Sequence, residues 1–160
     1  MNETRHVALL GCGYWGKNLA RNLHELGALQ LVCDPAESGR IAAAENAPGV
    51  ATSSEFNDAL ESDDIKAVAI ATPAETHFEL VSAALKVGKD VFVEKPLALQ
   101  ASEGEQLKDL AQERAIGLAF AAHIMFAVPV IDLTLQLFAF GEEIAILPCK
   151  MIVHRHRVGD

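Results

Sequence analysis

Short apolar runs alternate along this chain with longer segments in which apolar residues recur every three or four positions. The runs contain few polar residues, which is typical of parallel strands buried on both faces. Strands are predicted at residues 6–10, 50–52, 66–71, 90–93 and 116–121, with one more in the run that ends at Asp34. The segments between the runs have helical spacing. This alternation predicts an open parallel sheet with helices on both faces, a doubly wound α/β fold.

Several of the predicted helices have recognisable start and stop residues. Residues 72–75 combine a capping-box pattern with proline at the first helical position, and residues 102–105 form a second capping-box pattern. Ser54 is expected to cap a short helix, and another helix is expected over 37–46. The helix that starts near residue 72 should end at Gly88, because glycine commonly follows a helix end.

A glycine-rich turn follows the first predicted strand and opens the first helix. Gly11 allows the tight turn, Gly13 lets the backbone approach a pyrophosphate, and Gly16 lets the helix lie close to the strand. Asp34 stands 18 residues after Gly16, close to the spacing at which a carboxylate accepts hydrogen bonds from ribose hydroxyls. This order is that of a dinucleotide-binding Rossmann unit. The carboxylate would repel a 2′-phosphate, so NAD is predicted as the cofactor in preference to NADP.

Composition narrows the class of protein further. The chain has 160 residues, 51% of them hydrophobic, and a formal net charge of −9, which argues against nucleic acid as a general partner. No apolar stretch approaches the roughly 18 residues of a membrane span, and the first residues have no signal-peptide pattern. The three cysteines are scattered, so a reduced, cytoplasmic protein is the simplest interpretation.

Two groups of residues have competing interpretations. Cys12 lies inside the glycine turn, but no base is placed beside it by sequence, so it is interpreted as a small residue that fits the turn. His154 and His156 alternate on one predicted strand face and have the spacing of metal ligands. No carboxylate or cysteine accompanies them, which favours a solvated tail over a metal site.

One further motif narrows the family. Residues 93–97, Val-Glu-Lys-Pro-Leu, stand where a predicted strand ends, the place where open α/β sheets bind ligands. Together with Ala-Thr-Pro at 71–73, Glu75, His77 and the glycine turn, this motif resembles the N-terminal half of the Gfo/Idh/MocA family, the relatives of glucose–fructose oxidoreductase and inositol dehydrogenase. The residues at 13–18 and 33–35 look most like the corresponding residues of members that oxidise the 3-hydroxyl of UDP-N-acetylglucosamine or its uronate.

The resemblance implies a set of site residues. It assigns the pyrophosphate to Gly11, Gly13, Tyr14, Trp15 and Gly16, and the adenosine ribose to Asp34. It places Thr72, Pro73 and His77 along the nicotinamide side, with Glu94 and Lys95 beside the reactive ring. Tyr14 and Trp15 have the alternative interpretation of ordinary core aromatics.

Glu94 and Lys95 are the predicted catalytic pair. Oxidising an alcohol requires removal of a proton as hydride leaves, and a lysine ammonium near the oxygen would stabilise the developing alkoxide. The alternative is a surface ion pair between Lys95 and Glu94, which is common for such residues. A methyltransferase that uses the same glycine turn is disfavoured by the Glu-Lys-Pro motif at 94–96.

The C-terminal part departs from the family pattern. The family has a second α/β domain that forms the substrate site and supplies a catalytic histidine. Residues 1–122 are therefore predicted to be the dinucleotide-binding domain, and residues 123–160 a helix–strand extension that begins a missing second domain. His123 and Pro129 match a motif of the sugar-nucleotide members, although His123 is equally well explained as a structural residue. We expect an NAD-dependent dehydrogenase domain for a sugar or sugar-nucleotide hydroxyl, incomplete for catalysis alone; the alternative is a non-catalytic NAD-binding or oligomerisation module.

The extension also suggests self-association. Residues 129–140 have the pattern of a helix that is apolar on more than one face, and residues 144–153 that of a strand interrupted by Pro148. Exposed apolar surface beside an unpaired strand edge favours association. A homodimer is therefore predicted.

Overall fold

The computed structural model describes residues 6–114 and 116–120. Six strands lie in this part of the chain: β1 (Val7–Leu10), β2 (Leu29–Cys33), β3 (Ala51–Ser53), β4 (Ala67–Ile70), β5 (Asp90–Val93) and β6 (Leu118–Phe120). Five helices connect them: α1 (Gly16–Glu25), α2 (Glu37–Asn46), α3 (Asn57–Glu61), α4 (His77–Lys86) and α5 (Ala101–Arg114). The predicted helix at 129–140, the predicted strand at 144–153, His123 and the histidines at 154 and 156 lie outside the described residues.

The six strands form one parallel sheet in the order β3-β2-β1-β4-β5-β6. Leu9 of β1 is paired with Val32 of β2 on one side and Ala69 of β4 on the other. The strand order reverses between β1 and β4, and such a reversal opens a crevice at the carboxyl ends of these strands. The doubly wound Rossmann fold is confirmed. The carboxyl ends of its strands form the edge at which folds of this class bind ligands, here called the ligand-binding edge.

The core has two layers, one on each face of the sheet. Val7 and Leu9 pack with α1 and α2, whereas Ala8 and Leu10 pack with α3, α4 and α5. All four residues of β1 are fully buried. This explains why the strand has no polar alternation: neither face meets water.

The capping box predicted at residues 72–75 is wrong. A single 3-10 turn, Ala74–Thr76, comes first, and α4 begins only at His77. The Thr72 hydroxyl accepts a hydrogen bond from the Thr76 hydroxyl at 2.7 Å instead of capping a backbone N–H. The Nε2 atom of His77 also lies 2.9 Å from the Thr72 carbonyl oxygen.

The capping predictions at Ser54 and Ser102 are also wrong. The N-cap of α3 is Phe56, two residues after Ser54, and it makes no side-chain capping bond. The Ser53 hydroxyl accepts a hydrogen bond from the Glu55 N–H at 3.0 Å in the turn after β3. Helix α5 begins at Ala101, and the Glu103 carboxylate accepts from the Gln100 N–H at 3.2 Å. In a capping box, the glutamate three residues after the N-cap accepts a hydrogen bond from the N-cap N–H. Gln100 and Glu103 make this bond, two residues before the predicted pair at 102 and 105.

Lys89 is a buried cation that the sequence analysis missed. Its side chain is 6% exposed, and its ammonium donates to the carbonyl oxygens of Ser62 at 2.8 Å and Ile65 at 2.7 Å. These contacts join the segment before β5 to the segment before β4. Lys89 therefore stabilises the amino-terminal edge of the sheet, opposite the ligand-binding edge.

Candidate cofactor site

Four segments meet at the carboxyl edge of the sheet. Backbone hydrogen bonds continue the strand pairing past the strand ends, from Gly11 to Cys33 at 2.8 Å, from Ala71 to Leu10 at 2.8 Å, from Glu94 to Ile70 at 2.9 Å and from Asp34 to Ser53 at 2.9 Å. The glycine turn, Asp34, the 72–77 segment and the Glu94–Pro96 turn are thus fixed to a rigid sheet. This arrangement brings all the predicted site residues to one edge.

The glycine turn needs glycine at two positions for structural reasons. Gly11 has a φ of +86°, and a side chain there would meet the Thr72 methyl group at 2.9 Å and the Ala71 carbonyl at 3.0 Å. A side chain at Gly16 would overlap the carbonyl oxygen of Gly11. Gly16 therefore lets the start of α1 pack directly on the turn.

Gly13 differs from Gly11 and Gly16 because the space that a side chain would occupy there is open. A Cβ atom built on Gly13 meets no other atom within 4 Å. The backbone there borders a cleft of ≈ 330 Å³ between the glycine turn and the start of α2. Trp15 is the N-cap of α1 and makes no side-chain capping bond. The exposed backbone and the helix N-terminus together fit the pyrophosphate of a dinucleotide.

Asp34 lies in the wall of this cleft and is 9% exposed. Its Oδ2 accepts a hydrogen bond from the Cys12 N–H at 2.7 Å, and its Oδ1 accepts from the Ala36 N–H at 2.8 Å. Arg40 donates to the carbonyl oxygens of Asp34 and Pro35 at 2.8 and 3.0 Å, which fixes the segment that follows. A carboxylate has about four lone-pair sites, and each Asp34 oxygen accepts one backbone N–H here.

The aromatic residues of the turn lie on the surface. Tyr14 is 75% exposed and Trp15 is 63% exposed, so their interpretation as core aromatics is wrong. Their rings pack edge to face at 5.5 Å, and the Lys17 ammonium lies 5.3 Å from the centre of the Tyr14 ring. Tyr14 and Lys17 border the same cleft as Asp34. The cleft is thus bordered by an aromatic ring and by a cation, and the cation is suited to a ligand that carries phosphate.

His77 is enclosed by the protein, with 1% of its surface exposed. Its Nδ1 lies 2.6 Å from the Pro96 carbonyl oxygen and its Nε2 lies 2.9 Å from the Thr72 carbonyl oxygen. Thr72 is half-buried and Pro73 is exposed. The observed role of His77 is therefore to join the 72–77 segment to the Glu94–Pro96 turn, and its predicted contact with a cofactor remains a prediction.

The predicted catalytic pair lies directly after β5. Glu94 is half-buried and Lys95 is exposed, and the peptide between Lys95 and Pro96 is cis. Burial raises the pKa of Glu94, while the N–H of Lys95 and the nearby His77 oppose this rise. A carboxyl group with a raised pKa beside a lysine is typical of a site that handles protons.

The two described cysteines are poor nucleophiles. Burial, with a smaller contribution from Asp34, raises the pKa of Cys12 to about 11, and burial raises the pKa of Cys33 to about 12. Both thiols are therefore protonated at neutral pH. This agrees with the interpretation of Cys12 as a small residue that fits the turn. The group that Cys12 contributes to the site is its backbone N–H, which donates to Asp34.

The sequence analysis missed three residues that shape the site. Lys17 and Gly39 border the cleft, and Pro96 supplies the carbonyl oxygen that His77 contacts. Gly39 had a detectable signal, because a glycine inside a predicted helix is unfavourable and calls for a packing reason. No comparable signal marks a backbone carbonyl such as that of Pro96.

Comparison with known proteins identifies the family. The sequence model described as "Oxidoreductase family, NAD-binding Rossmann fold" (GFO_IDH_MocA) matches residues 5–120, which is most of the chain. The chain belongs to this family. Gfo/Idh/MocA membership agrees with the glycine turn, the strand order and the Glu-Lys-Pro turn found above.

Similar proteins include inositol dehydrogenases and a 3-ketoreductase. The scyllo-inositol 2-dehydrogenase (NAD(+)) of Bacillus subtilis is 35% identical over 120 residues, covering 72% of this chain and 35% of that protein. GenD2 from gentamicin A biosynthesis, solved with NAD, has a TM-score of 0.65 and 30% identity, covering 73% of this chain and 34% of GenD2. KijD10, a 3-ketoreductase from Actinomadura kijaniata solved with TDP-benzene and NADP, has a TM-score of 0.65 and 26% identity. The match covers 72% of this chain and 37% of KijD10.

The matched region is only part of each relative. The chain spans about a third of the length of the curated relatives it matches. Within the described residues, no helix has both the length and the apolar character of a membrane span, and no group of three or more histidine, cysteine or acidic residues is arranged to hold a metal ion.

Proposed function

We propose that this chain is the cofactor-binding part of a dehydrogenase that oxidises a hydroxyl group of a sugar or sugar nucleotide, and that it prefers NAD to NADP. The Asp34 carboxylate, held in the cleft wall by two backbone N–H groups, is the observation that carries the cofactor preference. Its oxygens are already oriented before a ligand arrives. A preorganised acceptor of this kind favours a ligand with ribose hydroxyls at the same place.

The charge of Asp34 also disfavours a phosphate. Two like charges about 4 Å apart repel by roughly 1 to 4 kcal/mol, depending on how well water screens them, and a 2′-phosphate carries more than one charge. Each hydrogen bond from a ribose hydroxyl to a carboxylate contributes about 1.5–3 kcal/mol. Both effects favour NAD over NADP. Family membership leaves this choice open, because GenD2 was solved with NAD and KijD10 with NADP.

Lys95 is the proposed catalytic residue of the described part. NAD, when bound, supplies the nicotinamide ring that accepts a hydride from the substrate carbon. The Lys95 ammonium, exposed at the carboxyl edge of the sheet, stabilises negative charge on the substrate oxygen as its proton leaves. The carboxylate of Glu94, whose pKa burial raises, would accept that hydroxyl proton.

The substrate class rests on the relatives rather than on the geometry of a pocket. The named relatives include a scyllo-inositol 2-dehydrogenase and a 3-ketoreductase that was solved with a nucleoside diphosphate derivative, TDP-benzene. They do not single out UDP-N-acetylglucosamine 3-dehydrogenases, so that narrower substrate stays a proposal based on the residues at 13–18 and 33–35. The proposed second domain would supply the rest of the substrate pocket.

Calorimetric titration of the chain with NAD, NADH, NADP and NADPH tests the proposal. We expect NAD to bind at least about tenfold more tightly than NADP, which corresponds to about 1.4 kcal/mol. In Asp34→Ala, the ratio of NAD affinity to NADP affinity should fall, chiefly because NAD binds less tightly. Equal or tighter binding of NADP by the unchanged chain would defeat the proposed preference.

The competing proposal is a module that binds NAD but performs no chemistry. The intact Glu94–Pro96 turn favours the enzyme. Turnover distinguishes the two. Addition of a relative's second domain, joined to residues 1–122, should restore oxidation of inositol or of a sugar nucleotide if the site is catalytic.

The proposed homodimer rests on the sequence pattern at 129–140 and 144–153. Light scattering during size exclusion measures the oligomeric state directly, on the whole chain and on a chain cut after Ala122. We expect a dimer for the whole chain at tens of micromolar, a range in which weak specific dimers are populated. A monodisperse monomer of the whole chain at that concentration would exclude the dimer.

A further inference from the structure

Gly39 in the first turn of α2 lies against the Asp34 carboxylate. A Cβ atom built on Gly39 would overlap Cγ and Oδ2 of Asp34 and would lie 2.7 Å from its Oδ1. The backbone of Gly39 is not in the left-handed region, so conformation alone does not require a glycine there. Gly39 is required instead by the space that the carboxylate occupies.

The Asp34 carboxylate has no easy alternative position. Its two oxygens are held by the N–H groups of Cys12 and Ala36, and its side chain is largely buried. A methyl group at residue 39 would push the carboxylate away from these donors. Because aspartate has a single χ1 torsion to its carboxyl carbon, the displacement would turn the whole group out of its present orientation.

We propose that Gly39 is a specificity-determining residue for the dinucleotide, acting through Asp34. By leaving room for the carboxylate, it holds the two oxygens where ribose hydroxyls reach them and where a 2′-phosphate is repelled. The inference rests on the proposed function, since it assumes that Asp34 selects NAD. It adds a residue on a different element, α2, to the residues that set cofactor choice.

The chain contains a matched control for this position. Gly104 is also a glycine within a helix, but a Cβ atom there meets nothing within 4 Å. Replacing either glycine by alanine has the same intrinsic effect on helix formation, which is favourable. Any loss seen in Gly39→Ala and absent in Gly104→Ala must come from what the added methyl group contacts.

Four variants test the inference by calorimetric titration with NAD and NADP: Gly39→Ala, Gly104→Ala, Asp34→Ala, and the double variant of Gly39 and Asp34. We expect Gly39→Ala to weaken NAD binding by at least about tenfold and NADP binding by clearly less, so the preference narrows. Gly104→Ala should leave both affinities within about twofold. In the Asp34→Ala background, adding Gly39→Ala should change NAD affinity by less than about threefold, since the clashing group is gone.

The outcomes separate the inference from the proposed function. If the unchanged chain binds NAD preferentially and Gly39→Ala has the same preference, Gly39 has no role in selection and only the inference fails. A chain that binds neither dinucleotide would overturn the proposed function and the inference with it. If Gly39→Ala alone does not fold, Asp34→Ala should restore folding; a double variant that stays unfolded would show that the methyl group acts elsewhere and would overturn the inference.

Discussion

The Nδ1 atom of His77 lies 2.6 Å from the carbonyl oxygen of Pro96, so the first residue of α4 contacts the turn that carries Lys95. The other ring nitrogen lies 2.9 Å from the carbonyl oxygen of Thr72. Both ring nitrogens therefore face acceptors inside the protein. His77 connects the two segments that the family resemblance places beside the nicotinamide, and it does so without reaching the surface.

His77→Phe should destabilise the protein by about 1–3 kcal/mol, because a phenyl ring of similar shape cannot donate a hydrogen bond to the carbonyl oxygens of Pro96 or Thr72, which lie beside the ring nitrogens. Urea denaturation measures the loss. NAD affinity should fall less than stability, since the pyrophosphate and ribose contacts lie on the glycine turn and at Asp34.

His24→Phe is the control for this substitution. His24 lies in the last turn of α1 and is half-buried, away from the Pro96 turn. Its replacement should cost less than about 1 kcal/mol, the size of a typical helix-terminus effect. Equal losses in the two variants would show that the contacts of His77 contribute nothing special.

Lys95 is predicted to act on chemistry more than on cofactor affinity. In a reconstituted two-domain form, Lys95→Ala should reduce kcat by about a hundredfold or more and leave the Kd for NAD within a few-fold. Steady-state kinetics and titration measure the two effects separately. Lys86→Ala, at an exposed lysine near the end of α4, should change neither.

The alternative for Lys95 gives a different result. If Lys95 serves only as a surface partner of Glu94, Lys95→Ala would lower stability slightly and leave turnover unchanged. Such an outcome would remove Lys95 from the catalytic proposal and leave the cofactor site unaffected.

The fold was predictable because its signals are local and repeated. The fully buried run Val7–Leu10 and the glycine turn after it define a parallel strand and its crossover, and the remaining strands follow the same pattern. The helix starts were less predictable. Thr72 and Ser102 have the right residue types for caps, but the Thr72 hydroxyl pairs with the Thr76 hydroxyl, and the Glu103 carboxylate accepts from the Gln100 N–H two residues earlier than predicted.

The candidate site was predictable to the extent that side-chain chemistry marks it. Asp34 was identified by its spacing from Gly16, and the structure adds the two N–H groups that hold its carboxylate. Gly39 was missed because its requirement comes from the packing of α2 on Asp34, which depends on the fold of β2 and α2 together. The sequence signal, a glycine inside a predicted helix, indicates a packing reason but does not identify Asp34 as the residue that requires it.

Lys89 gives a pH-dependent prediction. Burial lowers the pKa of Lys89 from its ordinary value of 10.5, with a further lowering by Lys66 and an opposing effect of Asp63. The folded protein therefore holds this proton less tightly than the unfolded chain does. Between the two pKa values the unfolded chain binds more protons, so the Lys89 contribution to the free energy of unfolding rises with pH. Below the folded pKa, the contribution is constant.

Lys89→Met isolates this effect, because methionine fills similar space without a charge. Urea denaturation of both proteins from about pH 7 to pH 10 gives the difference in the free energy of unfolding, in which the other titrating groups largely cancel. We expect the unchanged protein to gain stability relative to Lys89→Met as the pH rises. Lys86→Met, at an exposed position, should show no such trend. A difference that stays flat or falls over this range would mean that burial does not lower the pKa of Lys89, and that its ammonium is fully compensated by the carbonyl oxygens of Ser62 and Ile65.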